Sequence, residues 1–275
     1  MLDGATWRLT LSCGAEGHGA RETVEEEASV VVACGGLRGD TLEALHRAPP
    51  FAIKPRRGDF VLFDQATSAA ALEGDAPLGQ VPSATSRGVY VWKSVHGVLA
   101  CGPTAEDVDE RVTPPRATDA RVRGALAAAA AATVPALGRA RVAGTYAGLR
   151  PGSDASKDYQ IERVAGKPWV TVGGIRSTGL TASLGIARHV ANLCEEAVAQ
   201  SGASVGSLDV AAGPPKTTPL PSLEAIYASY ATRGDGSIVF GDDEMGFGPH
   251  HVTHPLTREG LARRSREKNP RVGRP

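Results

Sequence analysis

Two short apolar runs that end in paired glycines set the architecture this chain can adopt. Val31-Val32-Ala33-Cys34 stops at Gly35-Gly36, and Pro168-Trp169-Val170-Thr171-Val172 stops at Gly173-Gly174. The first belongs to an almost continuous apolar run, Ala28 to Cys34, which reads as a strand buried on both faces in a parallel sheet. The second run continues through Ile175-Arg176-Ser177-Thr178 into Gly179-Leu180-Thr181, where a helix expected over Leu180 to Gln200 begins. Strand, glycine turn and helix N-terminus in succession bring backbone N–H groups against an anionic or oxygen-rich ligand. The two turns therefore read as halves of one cradle.

Around them the pattern alternates between β and α. Trp7, Leu9 and Leu11 alternate with polar residues, the Gly14 to Gly19 region turns, and Glu22 to Glu27 returns, which is a hairpin. Ala28 to Cys34 reads as one strand, and Gly39 to Arg47 as a short helix with Asp40 at its N-cap. From Pro49 onward a strand interrupted by a proline-glycine loop is expected at Ala52 to Phe63, with further strands at Gly88 to Trp92 and Gly97 to Gly102, then an alanine-rich helix over Ala117 to Val134. Further strands fall at Ala140 to Tyr146, Tyr159 to Arg163 and Pro168 to Val172. Leu223 to Thr232 reads as a short helix, and Arg258 to Pro275 as a basic tail, mobile or draped over a surface. The expected fold is α/β: a partial parallel layer built from both chain ends, plus a mostly antiparallel sheet domain with helices. Residues 1–48 and 140–200 form the first part, 49–139 the second, and 201–275 a partly mobile extension.

Thirty basic and thirty acidic residues cancel, which gives no reason to expect nucleic acid or an anionic membrane surface as partner. The four cysteines contain no C-x-x-C pair, which fits reduced thiols in a reducing compartment, the cytoplasm first. No apolar run is long enough to span a bilayer. His250, His251 and His254 follow Asp242, Asp243 and Glu244, yet their glycine- and proline-rich setting offers no scaffold for metal geometry. A flexible tail is the expectation there.

The order of motifs carries a resemblance. Strand–Gly35-Gly36, Ile53-Lys54-Pro55-Arg56-Arg57-Gly58, Val95-His96-Gly97, Gly102-Pro103-Thr104-Ala105-Glu106-Asp107, Gly148-Leu149-Arg150-Pro151 and Gly173-Gly174-Ile175-x-Ser177-x-Gly179-Leu180-Thr181 occur in sequence. In that order they resemble the FAD-dependent oxidoreductases of the D-amino-acid oxidase superfamily, in the branch of bacterial-type glycerol-3-phosphate dehydrogenase and L-2-hydroxyglutarate oxidase. The resemblance implies FAD as cofactor and a small anionic 2-hydroxy acid, glycerol 3-phosphate-like or amino-acid substrate. It implies that Arg150 grips the substrate's carboxylate or phosphate, a task suited to a planar, permanently charged fork. It also implies that Gly35, Gly36, Gly173, Gly174, Gly179, Leu180 and Thr181 line the flavin ring.

His96, at a bend between strands, is the candidate base; a structural turn histidine is the competing reading. Lys54, Arg56 and Arg57 form a basic knot that either supports the anion or sits solvated, and Lys157, Asp158 and Tyr159 follow the arginine motif without a readable role.

One element of the resemblance is missing. No G-x-G-x-x-G turn occurs, and with it goes the expected seat for the ADP part of FAD. Either a missing N-terminal segment or partner chain completes the site, or the chain is a non-catalytic remnant or assembly partner that does not bind FAD by itself. Without the first βαβ unit the Val30 to Ala33 strand is expected to expose a long edge.

Overall fold

The structure is a computed structural model, and it describes residues 6–13, 22–64, 68, 71–74, 76–81, 88–112, 115–201, 223–233, 237–240, 250–252 and 254–268. The strands in chain order are β1 (Trp7–Cys13), β2 (Glu22–Ala28), β3 (Val31–Ala33), β4 (Ile53–Phe63), β5 (Leu78–Gly79), β6 (Tyr90–Lys93) and β7 (Leu99–Gly102). They continue as β8 (Glu106–Asp107), β9 (Val142–Ser153), β10 (Gln160–Arg163), β11 (Trp169–Gly173), β12 (Tyr230–Thr232), β13 (Ile238–Phe240) and β14 (His250–His251). The helices are α1 (Gly39–Glu43), α2 (Ala120–Thr133), α3 (Gly179–Ser201), α4 (Leu223–Ala228) and α5 (Pro255–Lys268). The α/β class expected from the sequence is the class observed.

The chain divides into two compact units, Met1–Arg56 with Asp107–Arg111 and Leu149–Lys216, and Arg57–Glu106 with Val112–Gly148 and Thr217–Pro275. These divisions differ from the expected ones: residues 49–56, 107–111 and 201–216 go with the first unit, and 140–148 and 217–275 go with the second.

In the first unit a three-stranded sheet runs β10-β11-β3, with β11 antiparallel to β10 and parallel to β3. The parallel register pairs Trp169 with Val31, Val170 with Val32 and Thr171 with Ala33. Every residue of β11 is buried, and its alternation explains how. Val170 and Val172 face α3, packing with Ile186, Val190 and Cys194. Trp169 and Thr171 turn the other way and donate hydrogen bonds to the Glu43 carboxylate of α1, at 2.9 and 2.7 Å. Helices therefore cover both faces of β11, whereas β3, expected to be buried on both faces, leaves Val32 exposed.

Three local readings need correction. The proline-glycine loop expected within Ala52 to Phe63 does not form, because β4 runs unbroken from Ile53 to Phe63. The apolar run is not one strand from Ala28 to Cys34, because β2 ends at Ala28 and β3 starts at Val31 after a bend. Asp40 is not the N-cap, since that position is Arg38. Asp40 lies inside the first turn, where its carboxylate accepts from Ile53 N (2.9 Å) and from both terminal nitrogens of Arg111 (2.6 and 2.8 Å). The hairpin β1–β2 pairs in full register from Trp7↔Ala28 to Cys13↔Glu22, and the turn expected near Gly14 to Gly19 lies outside the described residues.

In the second unit the strands follow the order β5-β6-β7-β4-β8, with β9 also paired to β4. Val61, Phe63, Val91, Leu99 and Cys101 bury one face against Leu126 and Ala130 of α2. The intervening residues Leu62 and Ala100, with Val98, bury the other face with Tyr146 and Leu256. The expected mobile tail is thus a packed helix over much of its length: α5 spans Pro255–Lys268. The helix expected over Leu223 to Thr232 stops at Ala228, because Tyr230–Thr232 pairs instead with Ile238–Phe240. The expected flexible histidine segment is also corrected, as His250 and His251 pair with Phe240 and Val239, and His254 rests on the Tyr146 ring at 4.6 Å. Among the described residues no cluster of metal-ligating side chains forms, and no helix is long and apolar enough to cross a membrane.

Candidate functional site

Because β3 and β11 are parallel neighbours in register, the two glycine turns emerge side by side at their carboxyl ends. That is where α/β sheets bind ligands. A cavity of about 580 Å³ opens there within the first unit, inside the range of ligand sites. Gly36, Gly173, Gly174 and Gly179 form its glycine end, and Ile186, Val190 and Cys194 of α3 extend its apolar wall.

The glycines have specific work. Gly36 stands at φ +52, and a Cβ there would meet nothing within 4 Å, so a side chain would project into open space over the turn. Gly174 stands at φ +66, a conformation costly to other residues. A Cβ on Gly173 would come within 2.7 Å of the Phe51 ring, which is 5% exposed. Gly35 is not among the lining residues; its Cβ would strike Leu42 Cδ1 at 2.7 Å, so it serves the packing of α1's turn.

The N-terminus of α3 closes this end. Ala182 N donates to Thr178 O at 2.9 Å, so the N–H groups of Gly179, Leu180 and Thr181 precede the helical ladder and have no partner inside it. They put partial positive charge at the cavity mouth. The side chains of Leu180 and Thr181 do not line it: both are exposed, Leu180 at 92%. For these two residues only the backbone can serve the site.

Arg150 lies on β9, half-buried, one residue before Pro151, which contributes to the cavity wall. Burial, and then the neighbouring Arg56 guanidinium, push its pKa below the ordinary arginine value. A third cation, which the sequence reading did not single out, is Arg176 in the loop between the Gly173-Gly174 turn and α3. Its Nε is buried with no hydrogen-bond partner among the described residues. A Cβ built on Gly152 would stand 3.5 Å from that atom and 2.8 Å from Lys54 O, so Gly152 lets this strand pass close to both. The one available signal was an arginine inside a glycine-rich strand-to-helix turn.

His96 belongs to the second unit. Its Nδ1 is 2.7 Å from Tyr227 OH, and Arg264 Cζ lies 4.0 Å above the Tyr227 ring. A Cβ on Gly260 would fall 2.2 Å from His96 Cβ, so α5 packs directly on the imidazole. Burial lowers the His96 pKa. The structure thus gives His96 the surroundings of a packed turn histidine. Replacing Tyr227 with Phe is expected to lower stability by about 1–2 kcal/mol and to shift the His96 titration. Urea denaturation and imidazole NMR would check this, and an unchanged His96 titration would count against the contact.

Arg57 of the basic knot is likewise committed, forking onto Asp59 at 2.7–3.2 Å. Arg56 pairs with Asp107. Lys54 is exposed, and so are Lys157 and Asp158; Tyr159 OH bonds Thr178 Oγ1 just before α3.

A family model described as "FAD dependent oxidoreductase" (DAO) matches residues 3–193. A glycerol 3-phosphate dehydrogenase of Caloramator mitchellensis is 29% identical over 163 residues, which cover 59% of this chain and 33% of that protein. A glycerol 3-phosphate oxidase of Mycoplasma pneumoniae is 31% identical over 165 residues, or 59% of this chain and 42% of its own length. Among solved structures, the FAD-bound L-alpha-glycerophosphate oxidase from Mycoplasma pneumoniae superposes with a TM-score of 0.53 at 28% identity, covering 62% of this chain and 43% of that one. A glycine oxidase from Bacillus cereus shares the fold at TM-score 0.52 and 21% identity, over 70% of this chain and 50% of that one. The chain spans between a third and a half of the length of these relatives.

Proposed function

The chain belongs to the DAO family of FAD dependent oxidoreductases, and on that premise we propose that it forms the flavin-ring and substrate-anion half of an oxidoreductase acting on a small anionic CH–OH donor of the glycerol 3-phosphate or 2-hydroxy-acid type. The observation that carries this reading is the meeting of Gly36 with Gly173 and Gly174 in one cavity, at the carboxyl ends of two parallel strands. Amino acids are the alternative donor class, since glycine oxidase shares the fold; the names of the relatives aligned in sequence favour the CH–OH donor.

The residues present fit such a cofactor. The glycine end gives backbone access where side chains would intrude, and the α3 wall is apolar enough for a flat ring. FAD, when bound, accepts a hydride from the substrate carbon. The free N–H groups at the start of α3 would stabilise negative charge on the polar edge of the ring. Arg150 would hold the substrate's phosphate or carboxylate, with Arg56 and Arg176 adding positive potential in the same unit. No base is assigned, because His96 is committed to Tyr227.

Titration of the purified chain with FAD is the direct test. Flavin fluorescence should be quenched and the visible bands should shift. Ala187→Trp, at an exposed helical position that lines the cavity, should weaken binding at least tenfold while leaving the thermal transition in place, because its side chain fills the cavity. If FAD never binds, or the variant binds as well as the parent, the flavin reading fails.

A further inference from the structure

Positive charge gathers on one face where β4 and β9 pair in the first unit. Asp154 N donates to Ala52 O at 3.1 Å. Two residues back along β9, a Cβ built on Gly152 would stand 2.8 Å from Lys54 O. Approaches of 154 to 52 and of 152 to 54 mean that the strands run in opposite directions, so the next step sets Arg150 opposite Arg56. Burial first, and then Arg56, lowers the Arg150 pKa, which fits that placement. Side chains two residues apart on a strand share a face, and residues directly opposite share it too. Lys54, Arg56 and Arg150 therefore stand on one face, with Gly152 as its bare position.

Arg176 reaches that bare position from another element. The Cβ direction of Gly152 leads to Arg176 Nε at 3.5 Å and to its Cζ at 4.0 Å. Its guanidinium thus lies over Gly152, on the face from which Arg150 projects, and the two backbone positions are roughly 7 Å apart along the strand. Arg176 Nε is buried with no hydrogen-bond partner among the described residues. Two carboxylates share the neighbourhood: Asp107 pairs with Arg56, and Asp154 accepts from Ala52 N. Among these six side chains positive charge exceeds negative by two. Both arginines also adjoin a lining residue of the cavity, Pro151 beside Arg150 and Ile175 beside Arg176.

From the shared face, the orphaned donor and the surplus of charge, we infer that Arg176 is a specificity-determining residue that selects a phosphate monoester over a carboxylate. Arg150 takes two oxygens of the head group, and Arg176 takes the third. A carboxylate has one charge and two oxygens, which a single arginine fork satisfies. A phosphate monoester carries nearly two charges at neutral pH and three terminal oxygens, so it engages both arginines. The buried Nε–H gains an acceptor only in the second case, and an orphaned buried donor is costly. The inference rests on the substrate-anion reading of this unit and narrows it, favouring a phosphorylated alcohol over a 2-hydroxy acid.

Calorimetric titration of the purified chain, without flavin, with glycerol 3-phosphate, inorganic phosphate and glycerate is the test. Arg176→Ala should weaken both phosphates roughly tenfold or more, the scale of one charge-assisted contact, and leave glycerate nearly unchanged. Arg176→Lys keeps the charge without the fork, so it should recover part of the phosphate affinity and stay neutral toward glycerate. Arg150→Ala should weaken all three ligands. Thermal transitions of the variants, measured beside the parent, separate lost binding from lost folding, and the lysine variant carries the test if alanine does not fold. Equal losses for glycerate and the phosphates would overturn the inference, as would phosphate affinity indifferent to Arg176. So would a parent chain that binds neither phosphate at millimolar concentration. Selective phosphate binding by a chain that never takes up FAD would sustain the assignment and remove the flavin reading; FAD uptake with equal losses for all three ligands would do the reverse.

Discussion

Replacing Glu43 with alanine should destabilise the first unit by roughly 3–5 kcal/mol, the scale for breaking a buried pair by deleting one partner. The side chain is fully buried. Its carboxylate accepts from Trp169 Nε1 at 2.9 Å, Thr171 Oγ1 at 2.7 Å and Arg47 Nε at 2.6 Å. These bonds tie α1's turn to β11, the strand that ends in Gly173. Without them, two buried donors on β11 lose their acceptor and Arg47 keeps only Glu162 and Thr171. Trp169 fluorescence in a urea titration reads the transition locally, since its ring packs on His46 at 4.1 Å and on Trp7 at 5.2 Å. Glu43→Gln keeps an acceptor oxygen and should lose less. If alanine costs under 1 kcal/mol, the buried network is not what fastens the helix to the sheet.

The same site sets an acid limit. Burial pulls the Glu43 pKa upward, but the Thr171, Trp169 and Arg47 donors outweigh it and hold the carboxyl below its ordinary 4.5. Burial raises Asp40 and Asp59 too, but Arg111 with the Ile53 and Thr41 N–H groups holds Asp40 low, and Arg57 with the Thr118 and Thr104 hydroxyls holds Asp59 low. A carboxyl with a lowered folded pKa contributes stability above its unfolded value and loses it as pH falls through the folded one. His96 and His254, whose pKa values burial lowers, add a loss that begins below about pH 6.5. Stability should therefore fall in two stages on acidification, and Glu43→Ala should flatten the second.

What the sequence disclosed, and what it hid, follows from the kind of interaction involved. β11 was legible because its short β-branched and apolar run ends in paired glycines. The pairing of distant glycine turns was legible because a parallel sheet aligns strand ends. The helix α5 was not. Its packed positions, Leu256, Gly260 and Arg264, recur every four residues on one face, but only one is apolar. A glycine against His96 and an arginine over Tyr227 leave no hydrophobic period to count. The Asp40 misreading has a similar origin. An aspartate near a helix start suggests a cap, and only long-range structure supplies the Arg111 fork that claims it. The side-chain exposure of Leu180 and Thr181 was hidden too, since motif spacing fixes the backbone turn but not the direction in which a helix is rolled.

Arg150→Ala should raise KM for the anionic substrate roughly 10- to 100-fold in the assembled, FAD-loaded protein. That is the scale of losing a charge-assisted contact of about 1.5–3 kcal/mol, at 1.4 kcal/mol per decade. Arg150→Lys should recover only part, because an ammonium keeps the charge but cannot present two parallel N–H groups to a phosphate or carboxylate. The comparison that gives the experiment force is a neutral substrate. Glycerol 3-phosphate, a 2-hydroxy acid and uncharged glycerol would be assayed with a dye acceptor, and only the anions should suffer. The burial of Arg150 and its repulsion from Arg56 sharpen the expectation: deleting one guanidinium also eases the other, so any residual anion binding in Arg150→Ala should pass to Arg56 and Arg176. The double variant with Arg176→Ala should then lose more than the sum of the two single losses. Should Arg150→Ala leave the anions and glycerol equally affected, the arginine holds the strand rather than the substrate.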